Sequence, residues 1–426
     1  MFSVDTNIIP SKIKTDLTEQ QQQNIDNIKN KLLKKKKEMR IKRAISKVFV
    51  FDDTWKRKNF SCTGKPDPHI ENLYLTDTFE NQKHFGRRVC REFDDLNVTH
   101  VLAVAPTQSG KTGTMLAIIR EFNKTDATHR VDCENVFIFT GHSSTEWTIQ
   151  TRKRFPQSMQ KRILHRNQLK TFVNMVRDLD NVLILFDESH IANKYGQTLY
   201  SLYNQLGFFN IKRLYSKNIK IVHFTATPDS IIQHVQLWRN SLKVVRMQVP
   251  ENYVSVDSYM LNEQIFECKP LLQSHHNIRA LLQHIDLDDP FYHIIRTPRG
   301  QKHHDLIHDF QLVFNSFDFQ YISEPSYRKN RDFYSLLHTK PNVHTFIFIV
   351  DKLRCAKSIH IHNIQICYDR FVLQPNIDSI LQGLLGRCTG YHRLTSHIRI
   401  FTFKALISSY INSTHINSTH NLFNPL

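Results

Sequence analysis

No stretch of this 426-residue chain reaches the roughly 18 consecutive apolar residues that a membrane-crossing helix requires, so none is expected. The opening residues Met1-Phe2-Ser3-Val4-Asp5 lack the basic region and hydrophobic core of a secretory leader. The expectation is therefore an intracellular protein, not a secreted one, with its compartment (nucleus, cytoplasm, viral factory or virion) left open. The seven cysteines, Cys62, Cys90, Cys133, Cys268, Cys355, Cys367 and Cys388, include no Cys-x-x-Cys pair, which argues against a disulfide framework and structural zinc and for free thiols. His303, His304 and His308 lie close together, but without Cys or carboxylate partners at metal-site spacing they read as the polar face of a helix. Acid is scarce too: 39 Asp and Glu stand against 57 Lys and Arg, a formal net charge of +18. Such an excess favours a polyanionic partner, because each neutralised phosphate releases condensed counterions. Residues 1–60 hold fifteen of the basic residues against seven acidic ones, densest at Lys34 to Lys37, so this segment is expected to be a basic extension. It reads either as a phosphate-binding arm or as a solvated tail.

What is present narrows the chemistry. The apolar run Val101 to Val104 leads into Ala105-Pro106-Thr107-Gln108-Ser109-Gly110-Lys111-Thr112, a buried strand opening through a small-residue loop into a Gly-Lys-Thr helix start. That arrangement wraps backbone N–H groups around phosphates and sends a lysine to the outer ones. Seventy-odd residues on, Val182 to Phe186 ends in Asp187-Glu188-Ser189-His190. One carboxylate there can hold Mg²⁺ through water and the next can activate an attacking water. Together the two stretches indicate hydrolysis of ATP or a similar nucleotide.

A second pair of segments goes beyond a simple kinase or GTPase. A strand-like run Ile219 to Phe224 precedes Thr225-Ala226-Thr227-Pro228, and far downstream stands Gln382-Gly383-Leu384-Leu385-Gly386-Arg387. A machine with ATP between two domains needs such parts: an arginine from one domain reaching the γ-phosphate, and a hydroxyl segment in the other sensing the change. Aliphatic, β-branched runs alternating with helix-like stretches point to parallel sheets of βαβ units.

The ordered set APTQSGKT, DESH, TATP and QGLLGR resembles motifs I, II, III and VI of the superfamily 2 helicases and translocases, across roughly residues 75–405. Thr140 to Trp147 lies where motif Ia is expected, Tyr292 to Thr297 is similar to the first strand of the second RecA domain, and Asp351 to Ser358 resembles motif V. The wording TGxSxxEW, HIIRT, HTFIFI and RCAK is similar to that of helicase-like proteins of large DNA viruses. The resemblance implies an α/β protein of two tandem RecA-like, doubly wound parallel-sheet domains: a basic N-terminal extension at 1–61, the first domain at 62–262 and the second at 263–426. It implies ATP and Mg²⁺ as cofactors and DNA or RNA as partner, with additional protein subunits as a further option.

By the same resemblance, Lys111 would hold the β- and γ-phosphates, Thr112 would ligate Mg²⁺, and the backbone of Gln108, Ser109, Gly110 and Lys111 would cradle the phosphates. Asp187 would hold Mg²⁺ through water, and Glu188 would polarise the hydrolytic water. His190, Thr225, Ala226, Thr227 and Gln382 would couple nucleotide to the second domain. Arg387 would be the arginine finger, or else a surface salt-bridge partner. Gln82, upstream of the loop, would read adenine, or else be an ordinary helix residue. The family's second motif VI arginine falls at Gly390, and Arg393, one further turn on, would be its substitute in coupling or else would leave that place unfilled. Two alternatives to a helicase stay open: a double-strand DNA translocase or remodeller that separates no strands, and a nucleic-acid-binding module with a decayed ATPase.

Overall fold

The computed structural model describes residues 78–124, 130–141, 145–188, 198–228, 238, 241–325, 333–351, 353 and 359–419. The basic extension, His190, and residues 142–144 and 354–358 of the motif Ia and motif V strings lie outside them.

Among the described residues twelve strands form two six-stranded sheets, every pairing in them parallel. The first sheet holds β1 (His100–Val104), β2 (Val136–Thr140), β3 (Ile163–His165), β4 (Val182–Asp187), β5 (Ile219–Thr225) and β6 (Leu242–Arg246), in the order β3-β2-β4-β5-β1-β6. β1, β2, β4 and β5 are buried at every position. Such strands read as unbroken apolar runs because helices cover both faces of a parallel sheet. The second sheet holds β7 (Ile265–Glu267), β8 (Tyr292–Arg296), β9 (Gln320–Pro325), β10 (Thr345–Val350), β11 (Ile364–Tyr368) and β12 (Arg399–Thr402), ordered β7-β12-β11-β8-β10-β9. The fold is thus α/β, with two tandem doubly wound parallel sheets of RecA-like topology. Tyr292–Arg296 is not the first strand of its sheet: the short β7 precedes it in the chain and lies at the far edge beyond β12. Three residues with one buried position give a weak apolar signal, which is why the sequence hides it.

Three helices matter for the site: α1 (Glu80–Glu92), α2 (Lys111–Asn123) and α3 (Leu384–Cys388). α2 follows β1 and buries Met115, Leu116, Ile118, Ile119 and Phe122, each nearly inaccessible to water. Burial on that scale contributes about 1.5 to 3 kcal/mol per side chain. α1 packs along α2, with Phe85 and Val89 in the same core. Val254 and Tyr259, ahead of β7, pack into the second core.

His303 corrects an expectation. It is buried at 2% exposure, its Nδ1 2.6 Å from Thr297 Oγ1 and its Nε2 2.7 Å from Ser323 Oγ. The hydroxyls on both sides let an imidazole replace an apolar core residue, so this helix face is not solvated at that point.

Candidate active site

In an open parallel sheet, ligands bind beyond the carboxyl ends of the strands. The local order β4-β5-β1 sets the loops after these three strands side by side, at the roughly 4.8 Å spacing of neighbouring strands. Three of the sequence motifs, starting at Ala105, Asp187 and Thr225, therefore meet at one edge although they are 38 to 120 residues apart.

The loop after β1 turns into α2 through Gly110, whose φ of +88° is left-handed and costs a side chain free energy. The first turn of α2 then offers unpaired backbone N–H groups, the positive end of a 13-residue helix. Lys111 starts that turn, and its Nζ lies 2.5 Å from Glu188 Oε1, both side chains about 10% exposed. Glu188 has a φ of +50°. A non-glycine residue there carries about 1 to 3 kcal/mol of strain, which tends to be kept where it aims a functional group. Thr112 is the next residue of the same turn, half-buried.

Asp187 ends β4 fully within the protein. Trp147 Nε1 donates to its Oδ2 at 2.7 Å, while its Oδ1 is buried without a hydrogen-bond partner among the described residues. A hydrated divalent cation would satisfy that lone acceptor, so the residues present fit Mg²⁺. Burial, followed by the charge of Glu188, pushes the Asp187 carboxyl up to about 6, against the pull of Lys111 and of the Trp147 bond. The folded state thus holds the proton more tightly than the unfolded chain. An ionised Asp187 then costs on the order of 3 kcal/mol of stability at pH 8, shrinking as pH falls through 6 towards 4. Asp187→Asn is expected to melt several degrees above the parent protein at pH 8, with roughly half that gain at pH 5. A gain independent of pH would show that the carboxyl is not held this way.

Gln82 on α1 is 3% exposed and lies beneath the same loop. Its Oε1 accepts from Phe79 N at 3.0 Å and its Nε2 donates to the Gly110 carbonyl at 3.2 Å. Thr225 closes a tight turn on itself, its Oγ1 donating to the Thr227 carbonyl and accepting from Thr227 N, both at 3.0 Å.

Residues of the second sheet's domain close over these loops. Gln382 Nε2 donates to Thr227 Oγ1 at 3.2 Å, and Tyr410 OH to the Ala226 carbonyl at 3.3 Å. Gln108 Nε2 donates to the carbonyls of Gly386 and Arg387. Arg387 is 5% exposed and its Nη2 donates to the Gln382 carbonyl at 3.1 Å. The structure therefore brings Gln82, Gln108 to Thr112, Asp187, Glu188, Thr225 to Thr227, Gln382 and Arg387 together at the ends of neighbouring strands, tied by one web of hydrogen bonds and an ion pair. Arg393 is exposed, outside this hydrogen-bonded web. Gly390 has a φ of +134° and pairs with Val254 in an antiparallel bridge, so an arginine could stand there only under strain.

Sequence reasoning missed Trp147, Tyr253, Thr389 and Tyr391 as site residues. Tyr391 OH donates to the Ser109 carbonyl at 3.1 Å and accepts from Asn81 Nδ2 at 3.1 Å. Tyr253 OH and Thr389 Oγ1 both donate to the Thr107 carbonyl. Trp147 stood in a recognised string, but nothing local tells that its indole meets a carboxylate 40 residues away. The tyrosines carry no motif signal at all.

No protein-family model matches the sequence. The chain is 26% identical over 342 residues to an uncharacterised protein of Acanthamoeba polyphaga mimivirus, covering 74% of this chain and 82% of that one. Among solved structures it is similar to the DEAH/RHA helicase HrpB of Escherichia coli, at 14% identity and a TM-score of 0.48 over 76% of this chain and 43% of HrpB. It is also similar to S. cerevisiae Dbp5 bound to RNA and ADP BeF3, at 14% identity and a TM-score of 0.45 over 81% of this chain and 89% of that one. Among the described residues no helix is long and apolar enough to cross a membrane.

Proposed function

We propose that the chain is a nucleic-acid-dependent ATPase of the superfamily 2 type, hydrolysing ATP between its two RecA-like domains to move along or locally open DNA or RNA. The observation that carries this reading is the contact of Lys111 with Glu188 beneath a loop that the Arg387 segment also touches. Lys111 and Glu188 from one domain, and the segment that carries Arg387 from the other, thus meet at the same loop.

In this state Lys111 and Glu188 neutralise each other. An incoming polyphosphate offers Lys111 a stronger partner, since charge-assisted bonds to phosphate oxygens replace one to a carboxylate. Glu188 is then released to accept a hydrogen bond from the hydrolytic water. Thr112 and Asp187 would hold Mg²⁺, which supplies charge neutralisation on the phosphate oxygens when bound. Arg387 adds positive charge where the transferred phosphoryl group becomes more anionic. Gln382 with Thr227, and Tyr410 with Ala226, tie the β5 loop to the second domain, so a shift in one is felt in the other.

Gln82 has both ends of its amide engaged and reads adenine only by giving up one of those bonds. We assign it to bracing Gly110. Gln82→Ala is then expected to weaken ATP and GTP binding alike, in a competition assay, by about tenfold, the order of one or two hydrogen bonds. A loss confined to ATP would restore adenine reading.

The +18 charge supports a nucleic-acid track. Strand displacement measured beside triplex displacement tests the mode of action. ATP-dependent release of a short duplex supports local opening, whereas triplex displacement alone favours the double-strand translocase. Absence of hydrolysis under every condition would leave only the binding module.

A further inference from the structure

We propose that the side chain of Gln108 positions Arg387, making the candidate phosphate loop itself the clamp that sets the arginine of the opposite domain. This rests on the ATPase reading above. Gln108 has a φ of +57°, a left-handed backbone that a glycine adopts freely and a glutamine does not. The strained side chain is engaged across the cleft: its Nε2 lies 2.8 Å from the Arg387 carbonyl and 3.2 Å from that of Gly386, nearly 280 residues away in sequence. Those carbonyls belong to α3, a helix of only five residues. So short a helix has little stability of its own, and its last carbonyls find no donors within it. Gln108 supplies a donor to the Arg387 carbonyl and shares the Gly386 carbonyl with Thr389 Oγ1, which lies 2.9 Å from it.

A neighbouring clasp runs in parallel. Thr389 Oγ1 donates to the Thr107 carbonyl at 3.1 Å and lies 3.0 Å from Thr107 Oγ1. At the other end, Gln382 is tied to Thr227 in the loop after β5. Arg387 thus springs from a segment suspended between two loops of the first domain. The loop that would wrap the phosphates then decides where the guanidinium starts, and any movement of that loop on nucleotide binding is passed to the arginine.

The test uses the full chain. Gln108→Gly relaxes the left-handed backbone while deleting the clamp, and Gln108→Glu keeps the size but removes the donor. Both are expected to lose about 10- to 10²-fold in nucleic-acid-stimulated kcat at saturating ATP, a loss read separately from any change in KM that the altered phosphate loop brings. Adding Arg387→Ala to either is expected to give no slower enzyme than Arg387→Ala alone, since residues acting as one unit are not additive. Parental kcat in both Gln108 variants, or losses that multiply in the double variants, would overturn the clamp. Indifference of kcat to Arg387→Ala itself would instead sink the arginine assignment on which the clamp rests, so the two failures are told apart.

Discussion

Glu188→Gln is expected to bind ATP at least as tightly as the parent protein and to hydrolyse it about 10²- to 10⁴-fold more slowly, the range lost when a catalytic base is removed. Two consequences of the geometry set this outcome. The carboxylate that would polarise water is gone, and Lys111 is relieved of the ion pair that occupies it in the nucleotide-free protein. Lys111→Ala should behave in the opposite sense. It removes a charge-assisted contact to phosphate and leaves Glu188 beside Asp187 without its compensating cation, so nucleotide binding should weaken about 10- to 10²-fold. Filter binding with a slowly hydrolysed analogue, followed by single-turnover hydrolysis, separates the two. Parental turnover in either variant would remove both residues from the site.

Arg387→Ala is expected to leave ATP binding within a few-fold while lowering nucleic-acid-stimulated kcat by about 10³-fold, the lower end of what an arginine finger contributes. Lysine at this position keeps charge but loses the planar fork, and should recover little. Because the Arg387 guanidinium also donates to the Gln382 carbonyl, thermal melting of each variant must accompany the kinetics. Arg393→Ala, an exposed change, should by contrast keep at least half of the parental rate. A loss comparable to that of Arg387→Ala would mean that the exposed arginine swings into the cleft and takes the place closed off at Gly390.

The contrast between those two arginines shows where sequence reading reached and where it stopped. β1, β4 and β5 were legible within a residue at either end, because a parallel strand buried on both faces leaves a run of apolar residues bounded by polar ones. The loops after β1, β4 and β5 were legible for a related reason: small residues, adjacent acids and paired threonines break those runs abruptly. β7 was not, having one fully buried residue in three. The threonine and tyrosine hydroxyls that close the cleft, Tyr253, Thr389 and Tyr391, were invisible since each meets a backbone carbonyl, and carbonyls have no sequence identity. The same is true of Gln108, whose backbone was read as a phosphate cradle but whose side chain reaches the other domain. Gly390 was seen only as a missing arginine, whereas its φ of +134° gives the backbone reason for the vacancy.

If ATP is hydrolysed at a site that both domains complete and nucleic acid closes, turnover depends on the polymer supplied. Phosphate release by the purified chain, with Mg²⁺ and ATP in excess, measured side by side without nucleic acid and with single- and double-stranded DNA and RNA, tests it most directly. A low basal rate raised at least tenfold by one or more of the four polymers is expected, with the increase abolished in Arg387→Ala. A rate unchanged by all four, or a stimulation that Arg387→Ala retains in full, would contradict it.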